Sequence, residues 1–314
     1  MATIAPTDEY AAVSERAGLI DRSERGKLAL TGSQAKEFLQ GQVSNDVEAL
    51  TPGTGCYAAF LTPKGKMLGD LRVLDAGDEL LVDTERVALQ PLFNMIRRGT
   101  IGYDAQLHKR TLERGVISLI GPESATVAGA TALGPEEHSH VELKLSGIPA
   151  RAIRTDAGID LLCDAARTDE LHRALLEAGA QEISDATAEC VRIERGRPRY
   201  GVELDEGVIP QEAGLNERAV SFEKGCYVGQ ETVARLHYRG RPNRLLRGLR
   251  ASAPVEPGAP VTFNDKEVGR VASATVSPGF GPIALALVRR EAEPGSTVAV
   301  GDELTAQVVQ LPFD

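Results

Sequence analysis

A chain of 314 residues with 42% apolar and 25% charged side chains has the makeup of a folded globular protein, and it is longer than one hydrophobic core usually organises. The formal net charge of −10 argues against a long basic surface for duplex nucleic acid, and the best apolar run, Pro282 to Val288, is too short to span a membrane. The four cysteines, Cys56, Cys163, Cys190 and Cys226, form no C-x-x-C pair, which excludes a zinc ribbon or a self-contained cluster-ligand set; no metal is expected. The N-terminus, carrying Asp8 and Glu9, lacks the basic start and apolar middle of a secretory signal, so a cytoplasmic protein without disulfides is expected.

In chain order, Leu28 to Leu30 reads as a strand and Ala35 to Gln42 as a helix opened by Ser33. Tyr57 to Leu61, Met67 to Leu74 and Glu79 to Val82 form a strand meander, broken at Thr62-Pro63-Lys64-Gly65 and at Asp75-Ala76-Gly77-Asp78. From Asp83 the apolar positions Val87, Leu92, Phe93 and Ile96 fall at helical spacing, with Pro91 inside and Gly99 as the stop. Val116 to Ile120, Val141 to Leu145, Ala150 to Arg154 and Ile159 to Cys163 are strands, and Thr168 to Ala178 is a helix ended by Gly179. Ser184 or Asp185 caps a further helix that Gly196 and Pro198 terminate, which puts Arg192 and Glu194 on different faces. Beyond Arg241-Pro242, six short strands from Leu245 to Val309 read as a small antiparallel barrel. The five histidines show no ligand spacing; His138 and His140 fall in an apparent loop and are expected to be solvated.

The most unusual stretch is Lys224-Gly225-Cys226-Tyr227-Val228-Gly229-Gln230-Glu231, running into a helix through Arg235. A thiol just before a helix, with Lys224 nearby, is expected to favour its thiolate, and two glycines allow a ligand to approach the backbone; the alternative is a small thiol on a glycine-bearing turn. This stretch resembles the signature of the YgfZ family, relatives of the glycine-cleavage T-protein. Gly32 to Val47, Tyr57 to Asp70, Arg192 to Pro198 and the tail around Val268 to Val271 are similar to the same superfamily, and only Thr111 to Ala180 is anonymous.

The resemblance implies an α+β, GcvT-like ring of three lobes: two interleaved mixed units in residues 1–244 and the barrel in 245–314. It implies tetrahydrofolate, or a one-carbon derivative, in a central hole. Glu194 matches the pterin-binding glutamate, Arg235 is a candidate for the folate tail, and Arg192, Lys224, Gln230 and Asn45 complete the implied cofactor set. Cys226 and Asp70 are the implied reactive groups, although Asp70 also reads as a polar residue on the exposed side of a strand. T-protein relatives carry two adjacent acids where this chain has Gly69 before Asp70, which sets the glycine-cleavage reaction in question. The expected role is a folate-binding accessory protein for iron-sulfur assembly or repair, with client or assembly proteins as partners and tRNA modification downstream. The alternatives are a folate-dependent aminomethyl or other one-carbon transferase, and a binding module without chemistry.

Overall fold

The computed structural model describes residues 3–314. Strand β1 (Thr3–Ile4) and helix α1 (Thr7–Glu15) lead into β2 (Gly18–Asp21), β3 (Gly26–Thr31) and α2 (Ala35–Gln40). A meander of β4 (Gly55–Leu61), β5 (Met67–Asp75) and β6 (Leu80–Thr84) is followed by α3 (Arg86–Gly99) and β7 (Gln106–Lys109). Next come β8 (Arg114–Ile120), α4 (Ser124–Val127), β9 (His140–Leu145), β10 (Ile148–Arg154), β11 (Gly158–Asp164), α5 (Thr168–Glu177), β12 (Gln181–Glu182) and α6 (Asp185–Glu194). After α7 (Asn216–Ala219) and α8 (Gln230–Arg239) the chain enters β13 (Arg244–Ala251), β14 (Pro260–Phe263), β15 (Lys266–Ser277), β16 (Gly281–Arg289), β17 (Thr297–Val300) and β18 (Leu304–Val309).

These strands make three sheets. One has the order β4-β5-β6-β3-β7, the second β12-β2-β8-β11-β10-β9. The last six strands form an antiparallel barrel, ordered β15-β14-β17-β18-β13-β16 and closed by β16 pairing back onto β15, while β1 runs parallel along β15. The mixed units interleave, because β2 belongs to the second sheet, β3 to the first, and β8 returns to the second. The α+β class with a C-terminal barrel is therefore as the resemblance implied. No helix among the described residues is long and apolar enough to cross a membrane.

Strand periodicity explains where the site forms. Side chains alternate across a sheet, so Leu71 and Val73 of β5 enter the first unit's core while Asp70, Arg72 and Leu74 point the other way. In the second sheet Ile159 and Leu161 of β11 and Ile117 and Leu119 of β8 fill a separate core, leaving Asp160 and Ser118 on the opposite face. The two outward faces do not meet solvent. They meet each other, through a small apolar plug of Ala29, Leu74, Leu81 and Ile153 and a polar zone beside it.

Helix α6 closes that zone. Ser184 caps it, its hydroxyl accepting from the Thr187 amide, and Glu9 of α1 accepts from the Ser184 amide and from the Ser184 and Thr187 hydroxyls. Ile193 on its far side packs with Leu246, Ile283, Leu285 and Phe313 of the barrel end. Gly196 stops the helix at φ +65°, where a Cβ would stand 2.6 Å from that of Leu311. Helix α1 was not legible in the sequence, because only Ala12 and Val13 of its nine residues are buried and no periodic stripe emerges.

Candidate functional site

The polar zone opens into a cavity of about 660 Å³, within the range typical of small-molecule sites. Its walls come from β5 and β6 on one side, β8 and the β10–β11 turn on the other, and α6 with the Arg195 to Arg199 stretch. The barrel contributes no lining residue; it stands behind α6 and supports it.

Asp70 is 7% exposed in this wall. Its Oδ2 accepts a hydrogen bond from the Tyr57 hydroxyl at 2.6 Å, and its backbone carbonyl accepts one from Thr84. Burial pushes the Asp70 carboxyl up to about 6, while the Tyr57 hydrogen bond and the Arg25 charge pull against that rise. A carboxyl poised there exchanges protons near neutral pH, as general acid–base chemistry requires. The same surroundings raise the Tyr57 phenol well above its ordinary value, so it stays a donor; the Arg218 guanidinium lies 5.1 Å from its ring centroid.

Beneath Asp70 lies an ionic floor. Arg72 donates to Asp83 of β6 at 2.6 Å and, across the junction, to Asp160 of β11 at 2.7 Å; Ser118 donates to Asp160 at 2.6 Å. Arg25 adds bonds to Asp83 and Glu85. Its two arginines hold the Asp83 carboxyl down to about 2 against the effect of burial, so the floor stays ionised. Asp156, in the β10–β11 turn, lines the cavity and pairs with Arg197 at 2.6 Å.

Of the residues drawn from the sequence, Asp70 and Arg192 line this cavity and the others do not. Glu194 is carried off by helix geometry, since a step of two residues turns about 200° around the axis. Its carboxylate faces α1 and the barrel, accepting from the Tyr10 hydroxyl at 2.9 Å, the Cys190 thiol at 3.4 Å and Ser277. The side of α6 toward the cavity carries Asp185, Ala188, Glu189 and Arg192 instead. Asn45 ties β4 to α7: its amide donates to the carbonyls of Tyr57 at 2.8 Å and Arg218 at 3.1 Å. Gln230 begins α8, half-buried, and Arg235 is exposed on the same helix.

Lys224 is spent inside the protein. Its buried ammonium donates to the carbonyls of Gln40, Val43 and Asn45 at 2.6, 2.8 and 2.8 Å, and burial draws its pKa down to about 8. It therefore anchors the cysteine loop and does not face a ligand. Gly229, the N-cap of α8 at φ +88°, separates Cys226 from the helix; a Cβ there would stand 2.6 Å from the Thr62 carbonyl. The close approach that Gly229 permits is thus to the protein's own β4–β5 turn, while a Cβ at Gly225 would meet nothing within 4 Å.

Cys226 itself is exposed on this outer loop and lies outside the cavity lining. The other thiols are sheltered: burial pushes Cys56 and Cys190 up to about 12 and raises Cys163. Titration of the native protein with Ellman's reagent is expected to modify one thiol, with four reacting after denaturation and none in native Cys226→Ser. His138 and His140 also differ from expectation. They are 9% and 4% exposed, wedged where β9 meets the first sheet, and burial lowers both to about 4.

Sequence reasoning missed Asp83, Asp156, Asp160, Glu189 and Arg218, since charged positions on a strand, turn or helix ordinarily mark solvent. The available signal was the charge of β5 itself, where Asp70 and Arg72 alternate with Leu71 and Val73 in a strand that is almost wholly shielded.

Residues 3–224 match the GCVT N-terminal domain, and residues 244–314 match the glycine cleavage T-protein C-terminal barrel domain. The chain belongs to the glycine cleavage T-protein family. An aminomethyltransferase of Rubrobacter xylanophilus is 32% identical over 97% of this chain and 85% of its own length. A second, from Streptomyces avermitilis, is 32% identical over 98% of this chain and 88% of its own. A putative chloroplastic transferase of Arabidopsis thaliana is 29% identical over 94% of this chain and 71% of its own. The T-protein fold is seen directly in the crystal structure of the glycine cleavage system aminomethyltransferase T from Bartonella henselae, with a TM-score of 0.87 at 23% identity, covering 98% of this chain and 89% of that one. The segment carrying Cys226 and α8 lies between the two matched T-protein domains.

Proposed function

We propose that this T-protein family member is a folate-dependent one-carbon transferase of the aminomethyltransferase kind, with tetrahydrofolate in the cavity between the two mixed units. One observation carries the reading: a buried carboxyl, Asp70, tuned to about 6 in the wall of a cavity of about 660 Å³. The cavity fits the cofactor chemically. Ile120, Ala157 and Val191 offer apolar surface for a ring system, and Asp70 and Asp156 offer carboxylate oxygens for ring N–H donors. Tetrahydrofolate, when bound, supplies the amine nitrogens that accept a one-carbon unit. Asp70 holds a proton below about pH 6 and is free to take one above it, and Tyr57 keeps its carboxylate oriented. Glycine at position 69 leaves Asp70 without an adjacent acid, and a Cβ there would meet that of Ala88 at 3.1 Å. Incubation with an aminomethyl donor and tetrahydrofolate should give tetrahydrofolate-dependent ammonia release; a protein that binds the cofactor yet releases none under any donor tried contradicts the transferase reading.

The YgfZ-type role in iron-sulfur upkeep is a second reading, favoured by the exposure of Cys226 on a loop that Lys224 fastens in place. Its thiol is reachable by a partner protein but not from the cavity. Under this reading Cys226→Ser abolishes rescue of cells whose iron-sulfur enzymes fail, while under the transferase reading the same substitution leaves ammonia release unchanged.

A further inference from the structure

Arg192 lies in the cavity wall, yet it has no hydrogen bond left to give. Its Nε donates to Glu189 Oε2 at 2.9 Å, and its Nη2 donates to Glu189 Oε1 at 2.7 Å and Glu203 Oε1 at 3.1 Å. Its Nη1 donates to Glu203 Oε2 at 2.9 Å and to the Arg197 carbonyl. A guanidinium carries five N–H groups, all in one plane, and these five bonds use every one. Its charge is consumed as well, because the two carboxylates that hold it outweigh its single positive charge, and Arg199 pairs with Glu189 at 3.1 Å. An anionic ligand therefore finds neither a free donor nor an unbalanced charge here.

We infer that Arg192 meets its ligand through the flat face of the guanidinium, stacked against a planar conjugated ring, and that Glu203 is the positioning residue that sets this plane. This deepens the folate reading and rests on it: the ring is the aminopyrimidinone of a reduced pterin, not the carboxylate tail. Arginine suits such a platform because a delocalised plane whose edges are already bonded keeps its face available for stacking. Glu203 is built for the task. Its side chain has no exposed surface, and beyond Arg192 it accepts from the Arg199 amide at 3.0 Å and from Ser273 of β15. The barrel thus reaches the ligand site indirectly, through Ser273, Glu203 and Arg192 in turn.

The test compares tetrahydrofolate with 6-methyltetrahydropterin, which has the ring and lacks the tail, by anaerobic calorimetry on the whole protein. Arg192→Lys keeps a charge for the two glutamates and removes the plane, so both ligands are expected to bind about tenfold more weakly, by the same factor. Ser273→Ala, far from the ligand and expected to fold whatever becomes of the lysine variant, should weaken both by a smaller common factor. A loss confined to tetrahydrofolate would assign Arg192 to the tail and overturn the inference, as would unchanged binding of both ligands in folded Arg192→Lys. If the unsubstituted protein binds neither ligand, the folate reading itself fails, and that result is distinct from the other two.

Discussion

Asp70→Asn is expected to lower folate-dependent transfer by about 10²–10⁴-fold, the usual contribution of a positioned acid–base group, while leaving the fold intact. The amide has nearly the shape of the carboxylate and its oxygen still accepts the Tyr57 hydroxyl, so what disappears is the exchangeable proton. The same substitution has a stability signature of known sign. The folded pKa of Asp70, about 6, lies above its ordinary 3.8, so the native state holds this proton more tightly than the unfolded chain does. Whatever stability that contributes is complete below about pH 4 and is lost as pH rises through about 6, where an ionised carboxylate must sit buried. Asn carries no such cost, so the variant should gain up to about 3 kcal/mol over the unsubstituted protein at pH 7.5 and little at pH 4. Denaturant unfolding at the two pH values checks it; a variant destabilised equally at both would mean that the carboxylate is not strained where it stands.

Asp160→Ala is expected to destabilise the protein by about 3 kcal/mol or more, measured by chemical denaturation. The argument turns on where the pair lies. Arg72 and Asp160 are 8% and 15% exposed, belong to different sheets, and join the two mixed units across the floor of the cavity. Removing the acid strands one guanidinium edge and the Ser118 hydroxyl, although Arg72 keeps Asp83. The control is Glu267→Ala in the barrel, whose partner Arg270 is 60% exposed and whose own side chain is 50% exposed; screening by water should hold that loss under about 1 kcal/mol. Equal losses at the two positions would show that the floor is wetter and weaker than its burial indicates.

Much of the architecture was legible because local patterns agreed with the global packing. The meander from Tyr57 to Val82, the Ser184 cap, the Gly196 stop and the six short tail strands all stand where alternation, capping and turn residues put them. Helix α1 and strand β7 were not legible, since a nine-residue helix with two buried positions and a four-residue strand with none carry almost no periodic signal. The site was legible in part for a different reason. Alternation distinguishes two faces of a strand but not what covers the second, and here the second face of each sheet is covered by the other. Asp70, Arg72 and Asp83 therefore look like solvent-side residues and are in fact buried together, with Asp160 half-buried against Arg72. Glu194 shows the same limit on a helix: the motif that contains it is real, but a two-residue step decides between cavity and barrel, and Arg192 is the one that faces the cavity. Lys224 and Gly229 were singled out correctly as unusual, and their chemistry turned inward, toward backbone carbonyls and a neighbouring turn, where a ligand had been expected.

The most direct test is a crystal structure of the protein with tetrahydrofolate. The account predicts the reduced pterin between β5 and α6, with a ring nitrogen within hydrogen-bond reach of Asp70 and the ring against the face of Arg192. Cofactor bound on the outer loop beside Cys226, with the cavity above Arg72 and Asp160 left to solvent, would contradict it.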